Sequence, residues 1–261
     1  MKLENSKVYN FQNAFSGMRY PLKSNKKSDS IFGYCSIYEI NDLIYEFVSE
    51  HYTDDKFEKM FNYYLNNCII NQNNTFCEYA LIGPEDLDLA ARLIKGGSVH
   101  RKFLRQILAS VDITAPIYLW SEIDTYKVAT VANSESTMHT LHKENINWDR
   151  FEMDDAIDDE YTAEPLINFL NWLEDLRKDY EKTKDKKIWK MLKRWLPASW
   201  LQKRAYTCNY ETLTNWYYWR KGHKLSEWKT VLDWIESLPY ANILILGETI
   251  NDIKGKVFRR I

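Results

Sequence analysis

Asn209-Tyr210-Glu211-Thr212-Leu213-Thr214-Asn215-Trp216-Tyr217-Tyr218-Trp219-Arg220, continuing Lys221-Gly222-His223-Lys224-Leu225-Ser226-Glu227, is the stretch that decides how the chain is read. At helical spacing it puts Leu213, Trp216, Arg220, His223 and Glu227 on one face. A guanidinium set among aromatic rings is costly unless it is paired, so Arg220 needs a carboxylate or an anionic ligand. An Arg220–Glu227 network inside a packing face meets that need, and so does a bound anion. The pattern carries the helical segment from about Asn209 to Ser237, with Pro239 ending it.

Upstream the pattern is helical from Glu164 onward. Leu166, Phe169, Leu170, Leu173 and Leu176 form one stripe, and the charged run Arg177–Lys187 marks an exposed helix end or turn. Ile188, Met191, Leu192 and Trp195 resume the stripe until Pro197 stops it. The basic pair Lys193-Arg194 sits at that helix end. It reads either as a complement to the helix dipole or as a phosphate clamp.

The first half is mixed. Ile31–Tyr38 has strand formers, and Ile40–His51 has helical spacing through Ile40, Leu43, Ile44 and Phe47. Asn66–Asn74 reads as a loop. Gly83-Pro84-Glu85-Asp86 opens a helix with Leu87, Ala90, Ala91 and Ile94 inward and Gly96-Gly97 at its end. Val111–Leu119 reads as a buried strand, with Pro116 as a break. Ser121–His142 is hydroxyl-rich with little core material, and Trp148–Tyr161 is acidic and loop-like. The run Thr125–His139 is either a solvated loop or a ligand loop at the end of a buried strand. His100 is either a satisfied core histidine or a ligand contact. The sum is an α+β chain with a helical C-terminal half. Without a flexible linker it reads as a single domain over residues 1–261.

Composition narrows the function classes. At 261 residues the chain is long enough to build a core without disulfides or metals. Its 35 Lys+Arg against 37 Asp+Glu leave a net charge of −2, which argues against binding nucleic acid through bulk phosphate attraction. No apolar run has the length of a membrane span, and the first residues lack a secretory leader. Cys35, Cys68, Cys77 and Cys208 show no zinc spacing and no nucleophile signature, so reduced cytoplasmic thiols and no metal are expected. GxSxG, P-loop, HExxH and GxGxxG motifs are absent.

Taken in order, these pieces resemble the flavin-dependent thymidylate synthase (ThyX) family. The resemblance runs through Lys193, Leu196-Pro197, Asn209, Leu213, Asn215, Arg220, His223 and Glu227, with spacing held from Lys193 to Arg220. It continues in a helix ending before His100 and in Ala115-Pro116-Ile117-Tyr118. It then enters a signature loop at Thr125-Tyr126-Lys127-Val128-Ala129-Thr130 and Asn133-Ser134-Glu135-Ser136-Thr137-Met138-His139. The best-matching region is 84–239, and residues 1–80 diverge.

The resemblance implies a ThyX-like α+β fold with a central antiparallel or mixed sheet, in a homotetramer that binds FAD and dUMP at subunit interfaces. It implies transfer of a methylene from methylenetetrahydrofolate to dUMP, with NADPH recharging the flavin. Arg220 matches the arginine beside the uracil carbonyls. Lys193 and Arg194, with Ser134 and Ser136, match nucleotide-holding positions. His100, Thr125, Lys127, Asn209 and Asn215 match flavin contacts. The signature departs from the family at Thr125, Tyr126 and Lys127, which stand for Arg, His and Arg, and at Met138, which stands for Arg. Those losses motivate a second reading: a catalytically silent homologue that binds a nucleotide or flavin as a sensor or sequestering protein.

Overall fold

The computed structural model describes residues 1–153 and 160–255. In chain order the elements are β1 (Lys2–Tyr9), α1 (Phe11–Arg19), β2 (Ile31–Ser36), α2 (Ile40–His51), α3 (Asp54–Asn67), β3 (Ile69–Gln72) and β4 (Phe76–Leu81). They continue as α4 (Pro84–Lys95), β5 (Leu108–Pro116), α5 (Ile117–Ile123), β6 (Val131–Ser134), α6 (Thr137–Thr140), α7 (Glu160–Thr183) and α8 (Lys186–Arg194). The last are β7 (Leu201–Asn209), α9 (Tyr210–Arg220), α10 (Glu227–Glu236), α11 (Ala241–Leu244) and α12 (Ile250–Gly255). One sheet has the order β1-β5-β7-β6 and the other β2-β4-β3, the latter antiparallel throughout. The fold is α+β.

The chain groups into two compact units, each assembled from separate segments. One holds Met1–Glu4, Asp112–Lys127 and Val131–Tyr206; the other holds Asn5–Val111, Val128–Thr130 and Thr207–Ile261. This interleaving is why no linker marks a boundary in the sequence.

In the first unit, the α7 stripe supplies Leu170 and Leu173, which join Leu192 of α8 with Leu141, Ile146, Phe151 and Trp200 in one core. Phe169, Leu176 and Leu196 pack against it half-buried. Met191 and Trp195 of the expected stripe stay exposed, so Leu192 is the one fully buried residue of α8, with Ile188 and Trp189 half-buried beside it.

The second unit is built on aromatic rings. Phe11, Phe15, Phe47, Tyr63, Tyr64, Tyr210, Tyr240, Trp216 and Trp228 are all sealed from solvent. A buried phenol needs a hydrogen-bond partner. Tyr64 donates to the Ile82 carbonyl at 2.6 Å, Tyr240 to that of Ala80 at 2.5 Å, and Tyr210 to that of Pro239 at 3.0 Å. These three buried tyrosines are therefore structural. At the start of α4 the Asp29 carboxylate accepts from the backbone N–H groups of Glu85 (2.7 Å) and Asp86 (3.1 Å). A Cβ at Gly83 would lie 2.4 Å from the Asp29 carbonyl oxygen, so only glycine fits there.

Five sequence expectations are corrected. Asn66–Asn74 contains β3: Ile70 is buried, and Asn71, which looks loop-like, spends its amide on the Val8 carbonyl and the Glu78 carboxylate. The strand expected at Val111–Leu119 begins at Leu108 and stops at Pro116, which opens α5, so Tyr118 and Leu119 are helical. Ser121–His142 is not bare of core material, because Ile123 and Leu141 are buried. The run from Glu164 does not stay helical, because β7 interrupts it. The long helix expected from Asn209 to Ser237 is two helices: α9 ends at Arg220, Lys221 turns extended, and Gly222 takes a left-handed φ of 76°. Glycine adopts that conformation without a Cβ penalty, so the break falls there. Of the acidic segment Trp148–Tyr161, residues 154–159 lie outside the described residues.

Candidate functional site

The signature loop and the helix-end lysine meet inside the first unit. The Lys193 ammonium, near the end of α8, donates to the Thr137 hydroxyl at the start of α6. Half-burial lowers the Lys193 pKa below the usual lysine range, because the desolvated ammonium is disfavoured. Ser136, beside Thr137, is the N-cap residue of α6 and uses its carbonyl to accept from the Thr140 hydroxyl at 2.8 Å. Two stretches some 56 positions apart in sequence thus converge on one spot. Arg194, next to Lys193, is exposed.

Ser134 lies on β6 and lines a cavity of about 520 Å³ together with Asn133, Glu135, Asp112, Thr114, Asp149, Arg150, Leu201, Lys203 and Ala205. Leu201, Lys203 and Ala205 alternate along β7 and so share a face. Its charges are largely spoken for. Lys203 lies 3.4 Å from Asp112 and 3.5 Å from Glu4, and Arg150 reaches Glu144 at 2.7 Å and stacks 4.9 Å over Trp200. With three acids against two bases on its wall, this cavity suits a neutral polar group better than a phosphate. Sequence reasoning missed Asp112, Arg150 and Lys203; the period-two placement of Lys203 between Leu201 and Ala205 was the available signal.

Thr125 and Lys127 belong to the same unit and are exposed. The Thr125 hydroxyl donates to the Glu122 carbonyl at 2.7 Å, capping the turn that ends α5. Met138 is 50% exposed, and no cation replaces the family's arginine at that position in the chain.

The second unit carries His100, Asn209, Asn215 and Arg220. Asn209 is buried, and its side-chain oxygen accepts from Thr212 N–H at 2.9 Å, capping α9. Asn215 is exposed. Arg220 is half-buried with its guanidinium carbon 5.0 Å over the Trp228 ring, an arrangement that holds the charge against an aromatic wall. Of the five residues placed on one helical face, Leu213, Trp216 and Arg220 share α9, while His223 follows the break and Glu227 opens α10.

His100 lines a cleft of about 680 Å³. Its rim carries Arg19, Lys27, Arg92 and Lys102 against a single acid, Glu85, and its floor is apolar with Leu89, Leu93 and Phe103. Arg19 is buried on Asp86 and Arg92 lies 2.9 Å from Asp88, so Lys27 and Lys102 over the apolar floor are the cations that suit an anionic ligand with a flat or greasy body. Arg19 is held in place by Asp86, whose second oxygen accepts from Ser28 and Ser30 at 2.6 Å each. None of those partners is adjacent to Arg19 in sequence, so its neighbourhood gave no local signal. Among the described residues no group of three His, Cys, Asp or Glu side chains could hold a metal ion, and no helix is long and apolar enough to cross a membrane.

No family model and no curated protein matches the chain by sequence. Solved structures do match. The flavin-dependent thymidylate synthase ThyX of Helicobacter pylori, in complex with FAD and dUMP, superposes with a TM-score of 0.58, at 16% identity, over 94% of this chain and 98% of that one. A second structure of the same enzyme with FAD and dUMP gives 0.59 at 16% identity, over 94% and 97%. The match spans nearly the full length of both chains, so it includes the divergent first third. The chain has the fold of the flavin-dependent thymidylate synthases.

Proposed function

We propose that this protein is a divergent flavin-dependent enzyme of the thymidylate synthase type, acting in the cytoplasm on dUMP or a related uracil nucleotide. The observation that carries the reading is the junction of Lys193 with Thr137, which joins two otherwise weak motifs on a scaffold of the right fold. The similar enzyme from Helicobacter pylori binds FAD and dUMP.

On this reading the cleft at His100 holds FAD. Lys27 and Lys102 answer the pyrophosphate, the apolar floor answers the ring, and Asn215, with Lys127 of a neighbouring protomer, adds polar contacts. Thr125 retains the position with its hydroxyl already bonded, and Asn209 shapes the site by fixing the start of α9. When bound, the flavin supplies the hydride, with NADPH as its reductant and methylenetetrahydrofolate as the one-carbon donor. The chain's own work is binding and charge control. Lys193, Arg194, Ser134 and Ser136 hold the nucleotide phosphate and sugar. Arg220, backed by Trp228, lies beside the uracil carbonyls and stabilises negative charge as it develops on the ring. The candidate residues divide between the two units, and a homotetramer that shares each site between protomers unites them.

The test is direct. Purified protein is expected to be yellow or to take up FAD, to oxidise NADPH, and to convert dUMP to dTMP. A second reading is favoured by Thr125, Tyr126 and Met138, which replace charged family residues: a silent homologue that binds the nucleotide only. Colourless protein that makes no dTMP yet gains thermal stability with dUMP supports that second reading and overturns the first.

A further inference from the structure

We propose that Cys35 and Cys77 form an oxidisable dithiol, a modification site at which a peroxide closes a disulfide across β2 and β4. The two residues are direct partners in the antiparallel register, and their sulfurs lie 3.4 Å apart. Residues opposite one another in such a ladder have Cα separations of about 4.5–5.5 Å. That range falls inside the window of about 4.4–6.8 Å that disulfides occupy. Closure therefore needs only that the sulfurs approach to about 2.05 Å, with the strands left where they are. Cys35 is 8% exposed and Cys77 1%, so one thiol borders the surface and the other waits behind it. The site needs neither flavin nor nucleotide and is independent of the activity proposed above.

The chemistry balances with hydrogen peroxide as the oxidant. Cys35, as thiolate, attacks one peroxide oxygen. The O–O bond breaks and hydroxide leaves, taking up a proton to become water. The Cys77 sulfur then attacks the resulting sulfenic sulfur of Cys35, the S–O bond breaks, and a second water carries away the Cys77 proton. Two thiols and one peroxide become one disulfide and two waters. The sulfurs are oxidised and the peroxide is reduced.

The surroundings set the pace. Burial pushes the Cys35 thiol up to about 12, and its hydrogen bond with Cys77 adds to the shift, as does the nearby Glu39 carboxylate. Cys68, also buried, is pushed up to about 12 and lies within electrostatic reach of both. Little thiolate exists at neutral pH, so the reaction is slow, and the closed bond is shielded from reductants. The consequence reaches α4. β2 follows the Ser28–Ser30 segment that holds Asp86, and β4 leads through Gly83 into the same helix. A disulfide fastens the two strands that flank its start.

The test uses the full-length native protein exposed to hydrogen peroxide, then unfolded, alkylated and mapped by peptide mass spectrometry. Two of the four thiols are expected to resist alkylation, with a mass loss of two hydrogens and a crosslinked peptide joining Cys35 to Cys77. Dithiothreitol restores both, and the oxidised form melts at a higher temperature. Cys68→Ala and Cys208→Ala keep the crosslink. In Cys77→Ala, Cys35 instead climbs to sulfinic and sulfonic acid. Four thiols still open to alkylation, a crosslink through another cysteine, or over-oxidised Cys35 with Cys77 left reduced in the unmutated chain each overturns the proposal.

Discussion

Arg19 donates to Asp86 at 2.5 Å with both side chains closed off from solvent, at 6% and 1% exposure. The pair ties the end of α1 to the first turn of α4, and Ser28 and Ser30 supply two more hydrogen bonds to the same carboxylate. Breaking one side of such a pair leaves a buried charge without its counter-ion. Arg19→Met is expected to lower unfolding stability by about 3–5 kcal/mol, whereas Arg19→Met with Asp86→Leu recovers much of that loss. Urea unfolding of the two variants measures the difference. A single variant as stable as the unmutated protein refutes the pair's role.

Lys193→Met is expected to weaken dUMP binding by roughly tenfold to a hundredfold, the worth of one charged hydrogen bond, while leaving the melting temperature of the free protein within a few degrees. Half-burial lowers the Lys193 pKa, so an ammonium there with only the neutral Thr137 hydroxyl as its partner is disfavoured, and a nucleotide phosphate relieves it. Isothermal titration with dUMP decides the point. Equal affinity in the two proteins removes Lys193 from the site.

Arg220→Ala is expected to abolish measurable nucleotide binding with the fold intact. Arg220 is half-buried at the end of α9, and its contact with Trp228 contributes about 0.5–1 kcal/mol at a partly exposed site, so the expected result is a folded variant with no ligand response. The readout is thermal stabilisation by excess dUMP, set beside the circular dichroism of the free variant. Retained stabilisation places the pyrimidine elsewhere.

Alkali should unfold the aromatic unit abruptly. Burial pushes Tyr52 up to about 12 and raises Tyr63, Tyr64, Tyr210 and Tyr240 as well. A phenol whose folded pKa is raised contributes its full stability below the unfolded value near 10 and loses it as pH rises through the folded value. With five such groups the decline between about pH 10 and 12 is steep. Phenolate absorbance is therefore expected to appear together with loss of tertiary circular dichroism. Phenolate appearing for these residues well before unfolding contradicts the assignment.

The elements that could be read in advance are those whose local chemistry agrees with their tertiary role. Ile40–His51 is a helix with its expected bounds, and Gly83-Pro84-Glu85-Asp86 does open α4. The misreadings have a common cause. Asn71 looks like loop chemistry until its distant partner Val8 and its cross-strand partner Glu78 are known, and β7 hides inside a run whose neighbours on both sides are helical. The break at Gly222 lies between four consecutive aromatics, Trp216 to Trp219, and the apolar stripe of α10, and that continuity reads as one helix. At the site, the order of Lys193, Asn209 and Arg220 was legible because it lies along the chain. Of the cations around His100, Lys102 lies two residues away along the chain, whereas Arg19 and Lys27 converge on it only after folding.

The interleaving of the two units bears on how the protein is made. Neither can be cut out as one continuous fragment, so expressing half of the gene yields an incomplete body in either case. On the ribosome, the strand begun at Lys2 must wait for its neighbour β5, from Leu108, and β5 in turn waits for β7, from Leu201, before the sheet can fill. Such late pairing slows folding and leaves aromatic surface uncovered in the nascent chain. A chaperone that shields that surface during translation acts on the step at which this topology is most exposed.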